Sequence, residues 1–459
     1  MQIGSTKDGN LSFGRLTPPL ILEHILRASV GLVNAAFLSH ISRSAVSAVN
    51  ISNQYIGFFQ MLATAVAMAS VVCFNQAVGM QNRKNMDKFA AVAFFSNAAM
   101  GLLSGLLFLF FSESFLSIMT FETDEIRIMA VTYMRVVGSS MILQCMQIAL
   151  GSISRSSGLP RAPLIVSLLT NGINILGCYM VVNRVILTNW VPIAGVAACN
   201  VFAQLCGLIL SAFLLRFTSV RITWKAIVPF PYKEVRLALS IGIPSALNNV
   251  AYSLSQIITS SIISQTSQLM LDAKTYISSI VNYIAMVGMA YSESAIIMIG
   301  TRIGAGDIDG ANKIRARGTR IALLSNAVFS ILLLLTYRYI FIWVYGTNAD
   351  ISKIMDIASI ILVIDLVAEI GRALNNSLSG ALQAAGDVAY QLIVNQTSGW
   401  LIAIGGAYLL GIVFGWELYG IWIAFALDEC TRGLLLLYRW RSQKWVGKAR
   451  QRTETIAQT

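Results

Sequence analysis

Charge is scarce in this chain. Asp, Glu, Lys and Arg make up 12% of its 459 residues, against about 25% in an ordinary soluble protein. With 56% hydrophobic residues and a mean hydropathy of +0.69, that excludes a soluble enzyme, a soluble nucleic-acid-binding domain and a disordered chain. Histidine is scarcer still, with only His24 and His40, which argues against a histidine-built metal or hydrolytic centre. Cysteine pairing is absent too. Cys73, Cys145, Cys178, Cys199, Cys206 and Cys430 sit in apolar blocks with no CxxC or metal-ligand spacing, and read as small core hydrophobes. The chain has no phosphate-binding GxxxxGK[ST], no HExxH and no nucleophile elbow. No cleavable signal peptide is read in the first 19 residues, which hold Lys7, Asp8, Arg15 and the pair Pro18-Pro19.

What the chain does have is apolar blocks of about 20 residues or more, the length that crosses a hydrocarbon core of about 30 Å. Twelve spans are predicted, near 17–39, 50–77, 88–111, 125–151, 162–184, 193–216, 236–266, 275–302, 317–345, 355–381, 390–413 and 418–438. The expected fold is an all-α polytopic membrane protein, twelve transmembrane helices in two pseudo-symmetric six-helix bundles. Residues 1–216 form the N-terminal lobe, 217–235 a cytoplasmic connector, 236–438 the C-terminal lobe and 439–459 a basic cytoplasmic tail. Twenty-three of the 33 Lys and Arg fall on the face that carries the N-terminus, six on the other face and four within spans. The positive-inside rule then puts both termini in the cytoplasm of a cell inner or plasma membrane. The net charge of +12 needs no nucleic acid: the tail YRWRSQKWVGKARQR can rest on anionic lipid. A monomer is expected.

The chain repeats itself. A shift of 225 residues lays Pro19 on Pro244, Gly79 on Gly304, Lys88 on Lys313 and Gly195 on Gly420. Six is an even number of spans, so both halves enter with one orientation, related by an axis along the membrane normal. Two such bundles with a cavity between them are expected, the architecture of an alternating-access transporter.

Three stretches then carry a resemblance: ESAIIMIGTRIGAGDIDGANK, the LQAAGD after the tenth span, and GIWIAFALDECTRGLLLLYRWRS, with VNAAFLSHIS in the first span. Their order over nearly the whole chain resembles the multidrug and toxic compound extrusion (MATE) family. That resemblance implies a non-enzymatic exporter of organic, often cationic, compounds in exchange for Na⁺ or H⁺. It also implies a small organic substrate, a coupling cation, and no further cofactor or metal. The chain departs from the family's pattern at three places. Asn34 stands where many members have an aspartate, Tyr252 where some have an acid in the seventh span, and Arg372 at another acid position. Coupling therefore falls to other carboxylates.

An ionisable group at membrane depth is a functional candidate by default and needs a partner. Asp365, Glu369 and Arg372 cluster with Asn375 and Asn376 in the tenth span. There a carboxylate can exchange a proton or coordinate a cation, while Arg372 competes for it or binds an anionic ligand. Glu369, Asp365, Arg372 and Asn376 are the candidate coupling residues. Glu23, Arg27, Asn34, Tyr252, Glu293, Asp428, Glu429 and Arg432 are the candidate cavity residues, with Arg135 a further charge in the fourth span. His24 reads as carbonyl-bonded and His40 as a loop residue. The turns GAGD (at Asp307) and AAGD (at Asp387) read as tight cytoplasmic turns at helix starts. Two other functions stay open: a flippase or exporter of a lipid-linked or anionic metabolite, and a membrane-embedded lipid enzyme.

Overall fold

The computed structural model describes residues 12–39, 42–117, 121, 123–186, 191–223, 228, 230–346 and 349–458. His40 lies outside them. Among the described residues the secondary structure is helical throughout. The first half holds α1 (Phe13–Ser39), α2 (Arg43–Gly79), α3 (Arg83–Leu116), α4 (Asp124–Ser139), α5 (Met141–Ser156), α6 (Ala162–Val182) and α7 (Pro192–Leu215). The second holds α8 (Tyr232–Ser264), α9 (Gln268–Gly304), α10 (Ile308–Tyr345), α11 (Ala349–Ala384), α12 (Val388–Ser398), α13 (Glu417–Arg441) and α14 (Lys444–Ala457). With α4 and α5 as one bent span and α12 running on to Val413, that makes twelve spans and a terminal helix.

Eight of these helices are long and apolar enough to cross a membrane, and the α4–α5 pair, bent by 45°, makes a ninth. The other three spans are α8, α11 and α13, with 33, 36 and 25 residues. They have the length but carry polar side chains, and those side chains build the site below. Large apolar residues face outward, among them Phe110, Leu335, Tyr339 and Trp343. Trp343 is 87% exposed. A soluble protein would bury such a belt, whereas a membrane protein turns it to lipid.

Two compact units divide the chain, one of Met1–Ala77 and Asn82–Ile243, the other of Pro244–Gln458 with Val78–Gln81. The first unit packs Ile56, Phe108, Tyr133, Met134 and Met141 into its core. Its connector is tied down, because Asp87 accepts from the Arg221 amide at 2.9 Å and Lys88 pairs with Glu234 at 2.8 Å. The second unit packs Ile277, Ile284, Phe341, Ile361 and Trp422. Its central helix is α11, which touches α9, α10 and α13. Small residues permit the close approach. A Cβ on Gly371 would come within 2.7 Å of the Cys430 backbone nitrogen, and one on Gly433 within 3.0 Å of Leu374.

Several expectations from the sequence take a different form. Asp307 does cap its helix, accepting from the Gly310 amide at 2.7 Å after Gly306 at φ +75°. Asp387 follows Gly386 at φ +79° in a matching turn, yet makes no side-chain cap. It is fully buried and paired with Arg439 (2.7 Å) and Lys448 (2.5 Å). The basic tail is largely the helix α14, whose Trp445 is buried and stacks on Trp440 at 4.1 Å. Arg135 is half-exposed, paired at 2.8 Å with the exposed Glu113, and belongs to neither cavity described below. All six cysteines are free thiols, four of them buried.

Gly371→Ala forces α11 and α13 apart, and overpacking of this kind costs about 1–3 kcal/mol. The midpoint of thermal unfolding in detergent should fall. Gly172→Ala, where a Cβ meets nothing within 4 Å, should leave it unchanged or raise it, since Ala is the better helix former by about 0.5–1 kcal/mol.

Candidate functional site

Each unit encloses its own polar cavity. In the second unit the cavity measures about 730 Å³ and its wall includes Asn248, Tyr252, Gln256, Asn282, Trp400 and Asn395. Carboxamides at such depth are costly unless they meet polar partners, so this space is built for water or a polar ligand.

The charged wall of that cavity comes from α11 and α13. Residues 365, 369 and 372 repeat at spacings of four and three and so share one face of α11. Glu369 is fully buried. Its Oε2 accepts from Asn326 Nδ2 of α10 at 3.0 Å, and its Oε1 is ion-paired with Arg372. The same guanidinium reaches Glu429 of α13, Nε to Oε1 at 3.5 Å. Asn375 donates to Glu429 Oε2 at 2.9 Å, and Ser379 in turn donates to Asn375 at 3.2 Å. A continuous polar chain thus runs from α10 through α11 to α13. Asp365 lies beside it, buried, accepting from Trp422 Nε1 at 3.0 Å.

A second pair stands on the same wall. Arg432 grips Asp428 with two nitrogens, one at 2.8 Å, and Asp428 also accepts from Ser398 at 2.6 Å. Arg432 passes Gly399, where a Cβ would come within 3.4 Å of its Nη2. Gly399 opens a π-helical stretch, Gly399–Ile404, followed by a second, Ala407–Val413. Such bulges gather at functional sites.

The first unit's cavity measures about 530 Å³. Glu23, at its edge, takes Arg27 on Oε1 and Arg155 on Oε2, both at 2.8 Å. Asn34 is buried in the wall and lies 3.6 Å from the Cys178 sulfur.

The sequence-predicted residues therefore separate into groups. Glu369, Asp365, Arg372, Asp428, Glu429 and Arg432 come together in the second unit. Asn376 and Tyr252 line that cavity without bonding its carboxylates. Glu23, Arg27 and Asn34 line the cavity of the first unit. Glu293 sits half-buried on α9 and is not part of the cavity wall. Two residues of these networks escaped sequence reasoning. Arg155 counts among the inward-facing charges by position, yet is buried against Glu23, 132 residues away. Asn326, which fixes Glu369, is a lone amide in an apolar run, and that isolation was its only signal.

The family model described as MatE matches the chain twice, over residues 19–180 and 244–409. The two matches begin at Pro19 and Pro244, the shift of the internal repeat. Among similar proteins, "Uncharacterized transporter YisQ" of Bacillus subtilis is 29% identical over 96% of both chains. "Probable multidrug resistance protein NorM" of Thermotoga maritima is 23% identical over 95% of this chain and 93% of its own length. The fold is that of a multidrug resistance MATE family transporter solved in an outward-facing conformation. That likeness has a TM-score of 0.84 at 16% identity, over 97% of this chain and 96% of the other.

Removing one partner from a buried pair leaves an uncompensated charge and costs about 3–5 kcal/mol. Arg372→Ala should lower the thermal unfolding midpoint in detergent more than Glu369→Gln does. The double variant Glu369→Gln/Arg372→Gln should recover part of the loss, because two of the three charges leave together.

Proposed function

The chain belongs to the MatE family, and on that premise we propose that it exports organic compounds across the plasma membrane in exchange for H⁺ or Na⁺, by alternating access. Family members are multi-pass membrane transporters and not enzymes. The observation that carries the coupling assignment is the chain Asn326–Glu369–Arg372–Glu429–Asn375. It shares one guanidinium between two carboxylates at the edge of a polar cavity.

The mechanism follows from that sharing. With no coupling ion, Arg372 is shared between Glu369 and Glu429, one positive charge against two negative. A proton or Na⁺ arriving from the cavity meets Glu429 first, because Glu369 is enclosed and Glu429 keeps 13% of its side chain exposed. Occupation of either carboxylate removes a charge that Arg372 was answering. The guanidinium then shifts toward the other, and α11 and α13, which the pair links, trade one set of contacts for another. Loaded and empty states thus differ in charge as well as contacts, which gives the ion unequal affinity for two conformations. Asp365 adds a reserve of negative potential. Both termini are cytoplasmic, on the distribution of Lys and Arg.

In proteoliposomes with pH and Na⁺ gradients imposed separately, Glu369→Gln should cut gradient-driven dye export at least about tenfold. It deletes the titratable group and keeps its shape. Asn34→Ala, which changes no charge, should retain most of the rate. Normal transport by Glu369→Gln with failure of Asn34→Ala would move coupling to the first unit. In a cysteine-free background, Lys84→Cys and Lys313→Cys should react with an impermeant maleimide only from the cytoplasmic side; reaction of both from outside would invert the topology.

A further inference from the structure

Away from both cavities, the second unit holds a guanidinium that its surroundings do not explain. Arg315 lies two turns into α10 and is half-buried, and its buried Nε has no hydrogen-bond partner among the described residues. The charges acting on it are those of Arg441 on α13 and of Arg320, both positive. None of these three arginines makes a hydrogen bond or an ion pair among the described residues.

Topology alone does not ask for this arrangement. A charge that only marks the cytoplasmic side needs no more than water, and Lys313 and Arg317, exposed on either side of Arg315, have that. Arg315 instead stands where α10 meets α13. One turn back, Asn312 accepts from Trp440 Nε1 at 2.8 Å, and Trp440 precedes Arg441. The buried acid that does reach this end of α13, Asp387, is held by Arg439 and Lys448. A buried donor left unpaired beside like charges is costly. An anion among the three guanidinium groups removes both costs, and a guanidinium matches phosphate oxygens with paired N–H donors.

The two outer arginines point to the source of that anion. Arg320 is exposed and heads a stripe on α10, Leu324, Val328, Leu335 and Tyr339, each more than half exposed. Spacings of four and seven put these on one helix face. Arg441, also exposed, follows the exposed Leu434 and Tyr438 on α13 at spacings of seven and three. Outward stripes of this kind meet acyl chains, and a cation that closes one stands at headgroup depth. A free phosphate finds the guanidinium groups and leaves the stripes unused, whereas a phospholipid uses both.

We propose that Arg315, Arg320 and Arg441 form a binding site for the phosphate of an anionic phospholipid, whose acyl chains lie along the apolar stripes of α10 and α13. The site is separate from both cavities and from the coupling residues. On the topology proposed above it opens to the cytoplasmic leaflet.

Native mass spectrometry of the delipidated full-length protein in a non-ionic detergent tests it, with dioleoylphosphatidylglycerol or dioleoylphosphatidylcholine added in steps. Thermal unfolding is followed on the same samples. Phosphatidylglycerol should bind more tightly than phosphatidylcholine and raise the unfolding midpoint. Arg315→Gln should weaken phosphatidylglycerol about tenfold, or about 1.4 kcal/mol, and Arg441→Gln should weaken it as well. Lys84→Gln, an exposed cation of the first unit, should not. Without lipid, Arg315→Gln should unfold no lower than the wild type, because it removes a repelled charge that holds no partner. Equal binding of the two lipids, equal loss on Lys84→Gln and Arg315→Gln, or a lower lipid-free midpoint for Arg315→Gln would each overturn the site. Displacement of phosphatidylglycerol by inorganic phosphate would overturn the lipid in favour of a free phosphate. The measurement needs neither an ion gradient nor an orientation, so its failure leaves ion-coupled export and the topology to their own assays.

Discussion

A charge held inside a hydrocarbon slab has to be answered by another charge, and the architecture of the second unit is organised round that constraint. Glu369 is fully buried, so Arg372, one turn along α11, must stay within reach. Arg372 in turn reaches Glu429, which obliges α13 to lie close enough for a side chain to bridge the gap. Glycine supplies that closeness at Gly371 and Gly433. The three spans too polar to pass as simple hydrophobic crossings include these two helices. Low hydropathy in α11 and α13 is therefore a consequence of the site, offset by ion pairs and amides instead of by lipid contact.

The internal repeat makes the difference between the halves informative. Both units place a guanidinium on a buried glutamate through a helical pair, Glu23–Arg27 in one and Glu369–Arg372 in the other. In the first unit a second arginine, Arg155, joins the pair. In the second, further carboxylates join, and one arginine serves two acids. A common six-helix plan thus carries differently composed charge networks in its two halves, which a symmetric inert bundle would have no reason to keep.

Much of this was legible in the sequence because hydropathy and periodicity are local. Apolar blocks mark the spans, and spacings of three and four put Asp365, Glu369 and Arg372 on one face. Duplicated prolines and glycines reveal the repeat even where α8 and α11 lose their apolar signal. Pairings between helices were not legible. Nothing in the neighbourhood of Arg155 points to Glu23, and counting it as a topology charge is reasonable until the fold brings α1 and α5 together. Asp387 misled in the same way. Its turn matches that of Asp307, but Arg439 and Lys448 arrive from α13 and α14 and convert a cap position into a buried ion cluster. Arg135 erred in the other direction, since a span boundary alone does not say that a side chain reaches the outer surface beside Glu113.

The charge of the exported compound sets the energetics of transport. Moving one elementary charge across 100 mV is worth about 2.3 kcal/mol. A cation entering a cell that is negative inside gains that energy, and an organic anion leaving gains it again. An exporter that exchanges an inward cation for an outward anion therefore draws on the membrane potential twice per cycle, whereas exchange of one cation for another would draw on the potential not at all. The sign of the exported solute's charge therefore decides whether the membrane potential favours both half-reactions or only the inward one.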